Sequence, residues 1–250
     1  MLNLPRVNDI RQHFKDALTN GVYTTDKSGV KTLELCGASF FADEEAIFGE
    51  VNHAYVKAEL AWYDSESLNV NDIPGGAPKI WKQVATKDGW INSNYGWCIY
   101  SENNHKQYVS ARNELIANRN SRRATMIYTR PTMHKDYCED GCSDFMCTNA
   151  VQYLIRGNKL HAIVQMRSND AWAGYRNDRA WQFEVQNRLL KDINALSDEK
   201  YQLGDLIWHV GSLHVYSRQF YLVDHFQKTG EHSITLENYN KLYVNLAKLV

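Results

Sequence analysis

The sequence predicts an α+β protein that forms a single domain. Segments with helical periodicity and segments with two-residue alternation follow one another along the 250 residues. No repeat or low-complexity tract occurs, and no strong linker divides the chain. Hydrophobic residues make up 44% and charged residues 23% of the chain, proportions typical of a globular protein with a sizeable core. We therefore expect one domain over residues 1–250.

The N-terminal segment predicts a helix and then a hairpin. One helical face carries the apolar side chains of Val7, Ile10, Phe14 and Leu18. We expect Asn8 or Asp9 to cap this helix. Residues 21–40 alternate on both sides of a Ser28-Gly29 turn, which indicates two paired strands.

The remaining elements follow in chain order. Helical periodicity predicts helices at 43–64, 104–118, 180–196, 217–228 and 236–249. Alternation predicts strands at 123–129, 145–156, 159–167 and 203–216. Two prolines and two glycines within residues 74–78 indicate a loop.

Charge and hydropathy exclude several classes of protein. The net charge of -1 gives no overall basic field for holding nucleic acid. No apolar run approaches the length that crosses a bilayer, and the start "MLNLPRVNDIRQHF" lacks the pattern of a signal peptide. We therefore expect a cytoplasmic protein.

The five cysteines are an odd number, and at this length they indicate reduced thiols rather than a disulfide framework. A zinc site is the alternative, because His134, Cys138, Cys142 and Cys147 fall close together in the sequence. Their C-x3-C and C-x4-C spacings differ from the paired C-x2-C of structural zinc sites. We therefore expect no metal.

Cys147 lies in a predicted strand. Alternation there places Phe145, Cys147, Asn149, Val151 and Tyr153 on one face, where a cysteine is usually a small core residue. The alternative interpretation is a nucleophile beside a charged site.

Nearby cations favour the nucleophile. Arg122 and Arg123 are adjacent and would point to opposite faces of a strand, while Arg167 and Ser168 end another strand. These arginines are either surface residues in weak ion pairs or a phosphate pocket, since a guanidinium binds phosphate through two hydrogen bonds. An anion held by arginines next to a thiol also suits a reactive cysteine.

Eight motifs occur in the order that one family shows. They are "AELAWY", "KIWKQVA", "NYGW", "SRRATMIYTRP", "FMCTNAVQYL", "MRSND", "GYRND" and "LHVYS". With them the chain resembles the thymidylate synthase family, and within it the deoxycytidylate hydroxymethylases of bacteriophages. The resemblance implies a mixed, twisted β-sheet flanked by helices, with one sheet face at the interface of a homodimer.

The resemblance implies a nucleotide site around Cys147, which would be the catalytic nucleophile. The implied phosphate ligands are Lys27, Arg167 and Ser168 of the same subunit, with Arg122 and Arg123 of its neighbour. His214 and Tyr216 would hydrogen-bond the 3′-hydroxyl of the sugar. Taken alone, a histidine such as His214 is more often a structural residue than a ligand.

Proton transfer and the folate involve a second set of residues. Glu59 would be the acid/base carboxylate, although the residue type alone does not select it among the acids of its helix. Trp81, Tyr95 and Asp170 would form the folate side, with Asp170 bonding the pterin, while Trp81 is equally compatible with plain core. The implied co-substrate is 5,10-methylenetetrahydrofolate.

Four departures from the synthases are informative. Thr148 follows the nucleophile where a synthase has histidine, and Lys27 stands where a synthase has arginine. "YVNLAKLV" does not match the closing C-terminal tail of the synthases. Asp178 in "GYRND" replaces the asparagine that reads uracil, as it does in the phage hydroxymethylases.

An aspartate at position 178 suits cytosine. Uracil presents an N3–H donor and an O4 acceptor, which one asparagine amide satisfies, whereas cytosine presents the inverse pattern. A protonated Asp178 would donate to N3 and accept from the N4 amino group. An ionised Asp178 would accept from N4, and then from an N3 that gains a proton during attack. Alternatively, Asp178 is an ion-pair partner of Arg176 or Arg179.

The resemblance therefore implies conversion of dCMP, 5,10-methylenetetrahydrofolate and water to 5-hydroxymethyl-dCMP and tetrahydrofolate. Alternatives within the family are a dUMP hydroxymethylase, a CMP hydroxymethylase and a thymidylate synthase. A nucleotide-binding or assembly protein without chemistry is the alternative from another class, against which the presence of Cys147, Glu59 and Arg167 argues.

Overall fold

A computed structural model describes residues 3–244 of the chain, which alternate between helices and strands. The α-helices of this part are α1 Val7–Thr19, α2 His53–Asp64, α3 Lys79–Val84, α4 Tyr95–Tyr100, α5 Gln107–Ala117, α6 Met133–Asp136, α7 Gly174–Leu196, α8 Phe220–Thr229 and α9 Leu236–Tyr239. The strands are β1 Thr24–Thr25, β2 Lys31–Phe41, β3 Thr125–Ile127, β4 Thr148–Arg156, β5 Lys159–Asp170 and β6 Gln202–Tyr216. Short 3₁₀ helices occur at Val70–Asp72, Glu102–Asn104, Glu139–Gly141 and Ser217–Gln219, and a π-helix at Asn240–Val244.

The strands form one mixed, six-stranded sheet in the order β1-β2-β6-β5-β4-β3. β1 and β2 pair antiparallel across the Ser28-Gly29 turn, as the sequence predicts. β4 and β5 form an antiparallel hairpin that ends in the pair Arg156 and Lys159. The α+β prediction is confirmed.

Residues 3–51, 168–179 and 208–244 group into a first unit. In this unit α1 packs against β2 and α8 and buries Val7, Ile10 and Phe14. The expected helix at residues 7–18 is confirmed, but its predicted cap is wrong. Arg6 occupies the N-cap, and Asp9 accepts a hydrogen bond from the Arg6 backbone N–H at 2.8 Å.

The predicted helix over residues 43–64 is wrong in its first half, because α2 begins only at His53. Residues 46–48 are buried in succession, a pattern that a one-sided helix does not produce. Their backbone carbonyls are hydrogen-bond acceptors for the buried Arg11, which donates to Ala46 at 2.8 Å and to Ile47 at 2.6 Å. Asn52 then caps α2 by accepting from Tyr55 N.

Residues 52–167 and 180–207 group into a second unit, whose core is rich in aromatic side chains. Tyr63 stacks on Tyr95 at 5.3 Å between ring centroids and meets Trp181 edge-on at 4.9 Å. A Cβ on Gly96 would lie 1.8 Å from the carbonyl oxygen of Tyr63. Glycine at position 96 therefore allows α4 to lie directly against α2 in this unit.

A β-bulge corrects the prediction for the strand that contains Cys147. The register with β5 shifts between Thr148 and Ala150, and β4 begins at Thr148, so Cys147 immediately precedes the strand. Met146 and Thr148 are buried before the bulge, but Val151 and Tyr153 are buried after it. The expected single face from Phe145 to Tyr153 is therefore wrong. The bulge leaves Cys147 half exposed while the rest of the strand contributes to the core.

Other boundaries also differ from the predictions. α7 begins at Gly174 instead of residue 180, so that "GYRND" forms its first turns. α3 and α4 were not predicted, because short helices carry little periodic signal. The last predicted helix is interrupted by the π-helix, and its residues 245–249 lie outside the described part, as does most of "YVNLAKLV".

Candidate active site

The thiol of Cys147 lies beside a guanidinium in the second unit. Sγ of Cys147 is 3.6 Å from Nη2 of Arg167, and the Arg167 backbone N–H donates to the Cys147 carbonyl at 2.9 Å. The Arg167 side chain is held in place, because it donates to the carbonyls of Phe145 at 2.6 Å and Met146 at 2.9 Å. Its guanidinium also covers the Phe145 ring at 4.9 Å.

This arrangement suits a reactive thiol. Cys147 is half exposed, and a fixed cation next to sulfur favours the nucleophilic thiolate. Thr148, which follows it, is fully buried, and its hydroxyl has no hydrogen-bond partner within residues 3–244. Of these two neighbours, Cys147 is thus the one that is exposed to solvent.

Glu59 lies on α2 in a buried cluster with Tyr55 and Trp81. The Tyr55 hydroxyl donates to Oε1 of Glu59 at 2.5 Å, and the Trp81 indole N–H approaches the same oxygen at 3.2 Å. The side chain of Glu59 is 5% exposed, and burial raises its pKa while the two hydrogen bonds lower it. A carboxyl whose pKa is raised in this way holds its proton longer and is suited to moving protons.

Two further predicted residues of this unit have different surroundings. Trp81 is half buried and meets Trp62 edge-on at 5.5 Å, so it combines a core contact with its bond to Glu59. Tyr95 is buried between Tyr63 and Tyr128, with ring centroids 5.3 and 5.2 Å away. The structure thus places Trp81 at the carboxylate and Tyr95 in the aromatic core.

The neighbouring arginines just before β3, Arg122 and Arg123, are not equivalent. Arg123 is ion-paired with Glu114 at 2.9 Å within the same unit. The side chain of Arg122 is exposed and makes no ion pair with any residue from 3 to 244. Arg122 is therefore the better placed of the two to bind an external anion.

In the first unit, Asp178 lies in the first turns of α7. Its Oδ2 accepts a hydrogen bond of 2.7 Å from the side-chain amide of Asn169 at the end of β5. Oδ1 of Asn169 accepts in turn from the indole N–H of Trp208 on β6 at 3.2 Å. Asp178 itself is only half buried, so a ligand can reach this carboxylate.

His214 and Tyr216 are two residues apart on β6, which places them on the same face. Their ring centroids are 4.9 Å apart. Lys27 is exposed in the turn between β1 and β2, where Asp26 accepts hydrogen bonds from Ser28 and Val30. These bonds lower the pKa of Asp26, and the charge of His214 adds to that effect.

The last two predicted residues of the first unit, Ser168 and Asp170, lie at the end of β5. Oδ1 of Asp170 accepts from the backbone N–H groups of Trp172 at 2.8 Å and Ala173 at 3.1 Å. Asp170 therefore caps the turn that leads into α7, in addition to any contact with a ligand. Ser168 is half exposed beside it.

The structure brings several predicted residues together within each unit. The second unit contains Cys147, Arg167, Glu59, Trp81, Tyr95, Arg122 and Arg123, and the first contains Lys27, Ser168, Asp170, Asp178, His214 and Tyr216. Among the described residues, no group of three or more His, Cys, Asp or Glu side chains could hold a metal ion. The helices between residues 3 and 244 include none that is long and apolar enough to span a membrane.

Sequence patterns did not identify three residues of this site. Tyr55 lies four residues before Glu59, so helical spacing could have revealed their contact. Asn169 and Trp208 are 39 residues apart, and no local pattern predicts their hydrogen bond.

Comparisons with known proteins agree with this geometry. The family model of thymidylate synthase matches residues 9–243. The deoxycytidylate 5-hydroxymethyltransferase of Enterobacteria phage T4 is 57% identical over 234 residues, which cover 93% of this chain and 95% of that protein. A thymidylate synthase of Bacillus subtilis subsp. natto is 29% identical over 168 residues, 64% of this chain and 56% of that protein.

A solved structure shows the same fold. Thermostable thymidylate synthase A from Bacillus subtilis superposes with a TM-score of 0.65 at 24% sequence identity, covering 89% of this chain and 83% of that chain. The expected mixed β-sheet flanked by helices is thereby confirmed. Since the family model extends over nearly all of the residues that build the site, the chain belongs to the thymidylate synthase family.

Proposed function

We propose that the protein is a phage-encoded deoxycytidylate 5-hydroxymethyltransferase of the host cytoplasm. It converts dCMP, 5,10-methylenetetrahydrofolate and water to 5-hydroxymethyl-dCMP and tetrahydrofolate. The observation that carries the proposal is the 57% identity to the phage T4 enzyme along almost the entire chain. The aspartate at position 178, with an amide donor on one of its oxygens, supports cytosine rather than uracil as the base.

The first step is attack by Cys147. Its thiolate adds to C6 of the pyrimidine, and the C5–C6 double bond becomes a nucleophilic enamine centred on C5. Arg167 supports this step, because its guanidinium lies 3.6 Å from Sγ and stabilises the thiolate. The positive charge of Arg167 also suits binding of the substrate phosphate.

The second step transfers one carbon. The folate supplies a methylene carbon at the oxidation level of formaldehyde, and C5 attacks that carbon. C5 then loses its proton and tetrahydrofolate leaves, which generates an exocyclic methylene on the base. Water adds to this methylene while the C6–S bond breaks, so that the C5–C6 double bond returns and Cys147 is released. Glu59 handles the protons through water, in keeping with its buried position and raised pKa.

The folate side is proposed around residues whose donor and acceptor groups fit a pterin. Asp170 offers carboxylate oxygens, and Trp81 offers an aromatic face next to Glu59. Tyr95 supports this region from the aromatic core. Asp178, His214 and Tyr216 are assigned to the base and the sugar hydroxyl.

We also propose a homodimer joined through the sheet, with shared phosphate sites. Lys27, Arg167 and Ser168 would bind the phosphate of their own subunit. Arg122 would reach the phosphate of the neighbouring subunit, because its side chain is exposed and has no ion pair within residues 3–244. Arg123 would help from its position beside Arg122, although its pair with Glu114 must then open.

Product analysis tests the function directly. The purified protein is incubated with 5,10-methylenetetrahydrofolate and with dCMP, CMP or dUMP in parallel. We expect 5-hydroxymethyl-dCMP and tetrahydrofolate in a ratio of one to one, with tritium released from C5-labelled dCMP. Dihydrofolate as the product would identify a synthase. A hydroxymethylated dUMP or CMP would identify another substrate, and binding without tritium release would identify a module that lacks chemistry.

A further inference from the structure

Asn169 is a buried link between Trp208 and the base-reading carboxylate. Its side chain is 3% exposed and bridges two neighbours of the first unit. The indole N–H of Trp208 donates to its Oδ1 at 3.2 Å, and its Nδ2 donates to Oδ2 of Asp178 at 2.7 Å. The three side chains thus form one chain of hydrogen bonds from β6 through β5 to α7.

The orientation of this amide follows from the chemistry of Trp208. An indole N–H can only donate, so the atom of Asn169 that faces it must be the oxygen. The NH2 group consequently faces Asp178. A Cβ on Gly174 would lie 2.9 Å from this nitrogen and 3.5 Å from Oδ2 of Asp178, so glycine leaves the space that the contact needs.

The amide donor favours the ionised one of the two charge states of Asp178 that the sequence leaves open. A hydrogen bond donated to a carboxylate stabilises its charged form. An ionised carboxylate accepts about four hydrogen bonds, so the bond from Asn169 does not by itself use up the capacity of Asp178 to bind a substrate. We propose that Asn169, oriented by Trp208, is a positioning residue that holds Asp178 as an ionised acceptor for the N4 amino group of cytosine.

This inference rests on the proposed function and adds to it the origin of base selectivity. An ionised acceptor attracts the N4 amino group of cytosine but faces O4 of uracil, which can only accept. An amide that turned its oxygen toward Asp178 would repel the carboxylate. The indole N–H of Trp208 prevents that rotation, because it would lose its acceptor in a buried site.

Three charged groups close to Asp178 in the sequence have backbone partners that the tested substitutions do not remove. On α7, Arg176 Nη1 donates to the Glu50 carbonyl at 2.5 Å, and Arg179 Nε donates to the Ala42 carbonyl at 3.0 Å. At the end of β5, Asp170 accepts from Trp172 N. A change in pH dependence on substitution of Asn169 therefore reports the lost amide.

The test compares Asn169→Leu and Trp208→Phe with the wild type. The readout is kcat/KM for dCMP and dUMP between pH 5 and 9. For Asn169→Leu, we expect the dCMP-to-dUMP ratio to fall about tenfold and the acid limb for dCMP to move to higher pH, because the charged carboxylate loses its donor. Trp208→Phe, which only frees the amide to rotate, should show a smaller change in the same directions.

Two controls separate positioning from folding. Gln186→Leu removes another buried amide of similar size, whose Nε2 donates to the Leu160 carbonyl at 2.8 Å. It should alter the melting temperature without altering base preference or the pH profile. In an Asp178→Asn background, Asn169→Leu should no longer change the charge-dependent acid limb, because the carboxylate that it stabilises is absent.

The outcomes distinguish this inference from the proposed function. If wild type turns over dCMP but Asn169→Leu keeps both its pH profile and its base ratio, Asn169 is merely structural and the inference is wrong. The inference is equally wrong if the acid limb moves as far with Gln186→Leu. A wild type that does not release tritium from dCMP contradicts the proposed function instead. Circular dichroism confirms that each compared variant is folded.

Discussion

The hydroxyl of Tyr55 donates a hydrogen bond of 2.5 Å to Oε1 of Glu59, one turn further along α2. The indole N–H of Trp81 reaches the same oxygen, so two donors oppose the effect of burial on this carboxyl. Burial has the larger effect and raises the pKa of Glu59 above its ordinary value. The protonation of Glu59 thus depends on a balance that single substitutions can shift.

Tyr55→Phe should shift that balance toward the protonated form. Loss of the hydroxyl donor raises the pKa of Glu59 further, and the acid limb of the pH–rate profile should move to higher pH. At pH 7 we expect kcat/KM for tritium release from dCMP to fall about tenfold. Tyr201→Phe is the matched control, because Tyr201 makes a similar bond to Glu199 at 2.7 Å. An equal shift in both variants would show that Tyr55 does not act through Glu59.

Glu59→Gln should lower turnover and raise the stability of the fold at neutral pH. Because the pKa of Glu59 is raised in the folded protein, the native state holds this proton more tightly than the unfolded chain. The favourable contribution is complete below the ordinary glutamate pKa of 4.5 and is lost as the pH rises through the raised folded value. At neutral pH the buried charge therefore destabilises the fold.

We accordingly expect Glu59→Gln to melt at a higher temperature than wild type at pH 7.5, with a smaller difference near pH 4. A gain of about 1 kcal/mol would raise the melting temperature by about 2–4 °C. Turnover should fall at least about a hundredfold, since the proton-transfer group is gone. Differential scanning calorimetry at both pH values measures the first effect. A variant that is less stable at pH 7.5 would contradict this account of Glu59.

The sequence predicts the layout of the fold better than its local irregularities. The hairpin around Ser28 and the helix at Val7 follow from patterns within a few residues. The bulge next to Cys147 does not, because it depends on the register with β5. The loop over residues 43–52 also depends on a distant part of the chain, because the Arg11 guanidinium donates a hydrogen bond to its backbone.

The site shows the same division. Motifs that resemble the family identify Cys147 and Asp178 by type and position, and Tyr55 is within reach of helical spacing. The link from Trp208 through Asn169 to Asp178 joins three separate elements, so only a folded structure reveals it. Patterns therefore identify reacting groups, whereas the residues that orient them emerge from long-range packing.

Cys147→Ser should abolish turnover and leave the fold intact. A hydroxyl ionises far less readily than a thiol and is a much weaker nucleophile at neutral pH. We expect tritium release to fall at least about a thousandfold, with an unchanged circular dichroism spectrum. Cys138→Ser and Cys142→Ser should keep near wild-type activity. Activity within a few-fold of wild type in Cys147→Ser would end the nucleophile assignment, and joint loss of zinc and activity in either control would restore the metal hypothesis.

Mixed dimers should reveal whether phosphate sites are shared. Arg122→Ala and Cys147→Ala proteins should each be inactive alone. After subunit exchange, one site of each heterodimer would carry neither defect, so activity should recover to about a quarter of wild type for a random mixture. Arg119→Ala, at an arginine that pairs with Glu199 in its own chain, should remain active alone. Verified exchange without recovery would show that Arg122 serves its own subunit.

Asp178→Asn should redirect the enzyme from dCMP toward dUMP. The exchange is nearly isosteric, so the packing of α7 should survive. Asn169 remains a donor at this position, and it should draw the oxygen of the new amide toward itself. The new NH2 group then faces the base, where it can donate to O4 of uracil but meets the N4 amino group of cytosine as a second donor.

One mismatched buried hydrogen bond costs about 1–3 kcal/mol, so the ratio of kcat/KM for dCMP to that for dUMP should fall at least about tenfold. The acid limb that arises from protonation of the carboxylate should also disappear from the dCMP profile, because an amide does not titrate. Tritium release from both C5-labelled nucleotides measures the ratio in wild type and variant. If wild type already prefers dUMP, or if the ratio does not move, Asp178 does not read the base, and the chain would join the uracil-specific branch of the family.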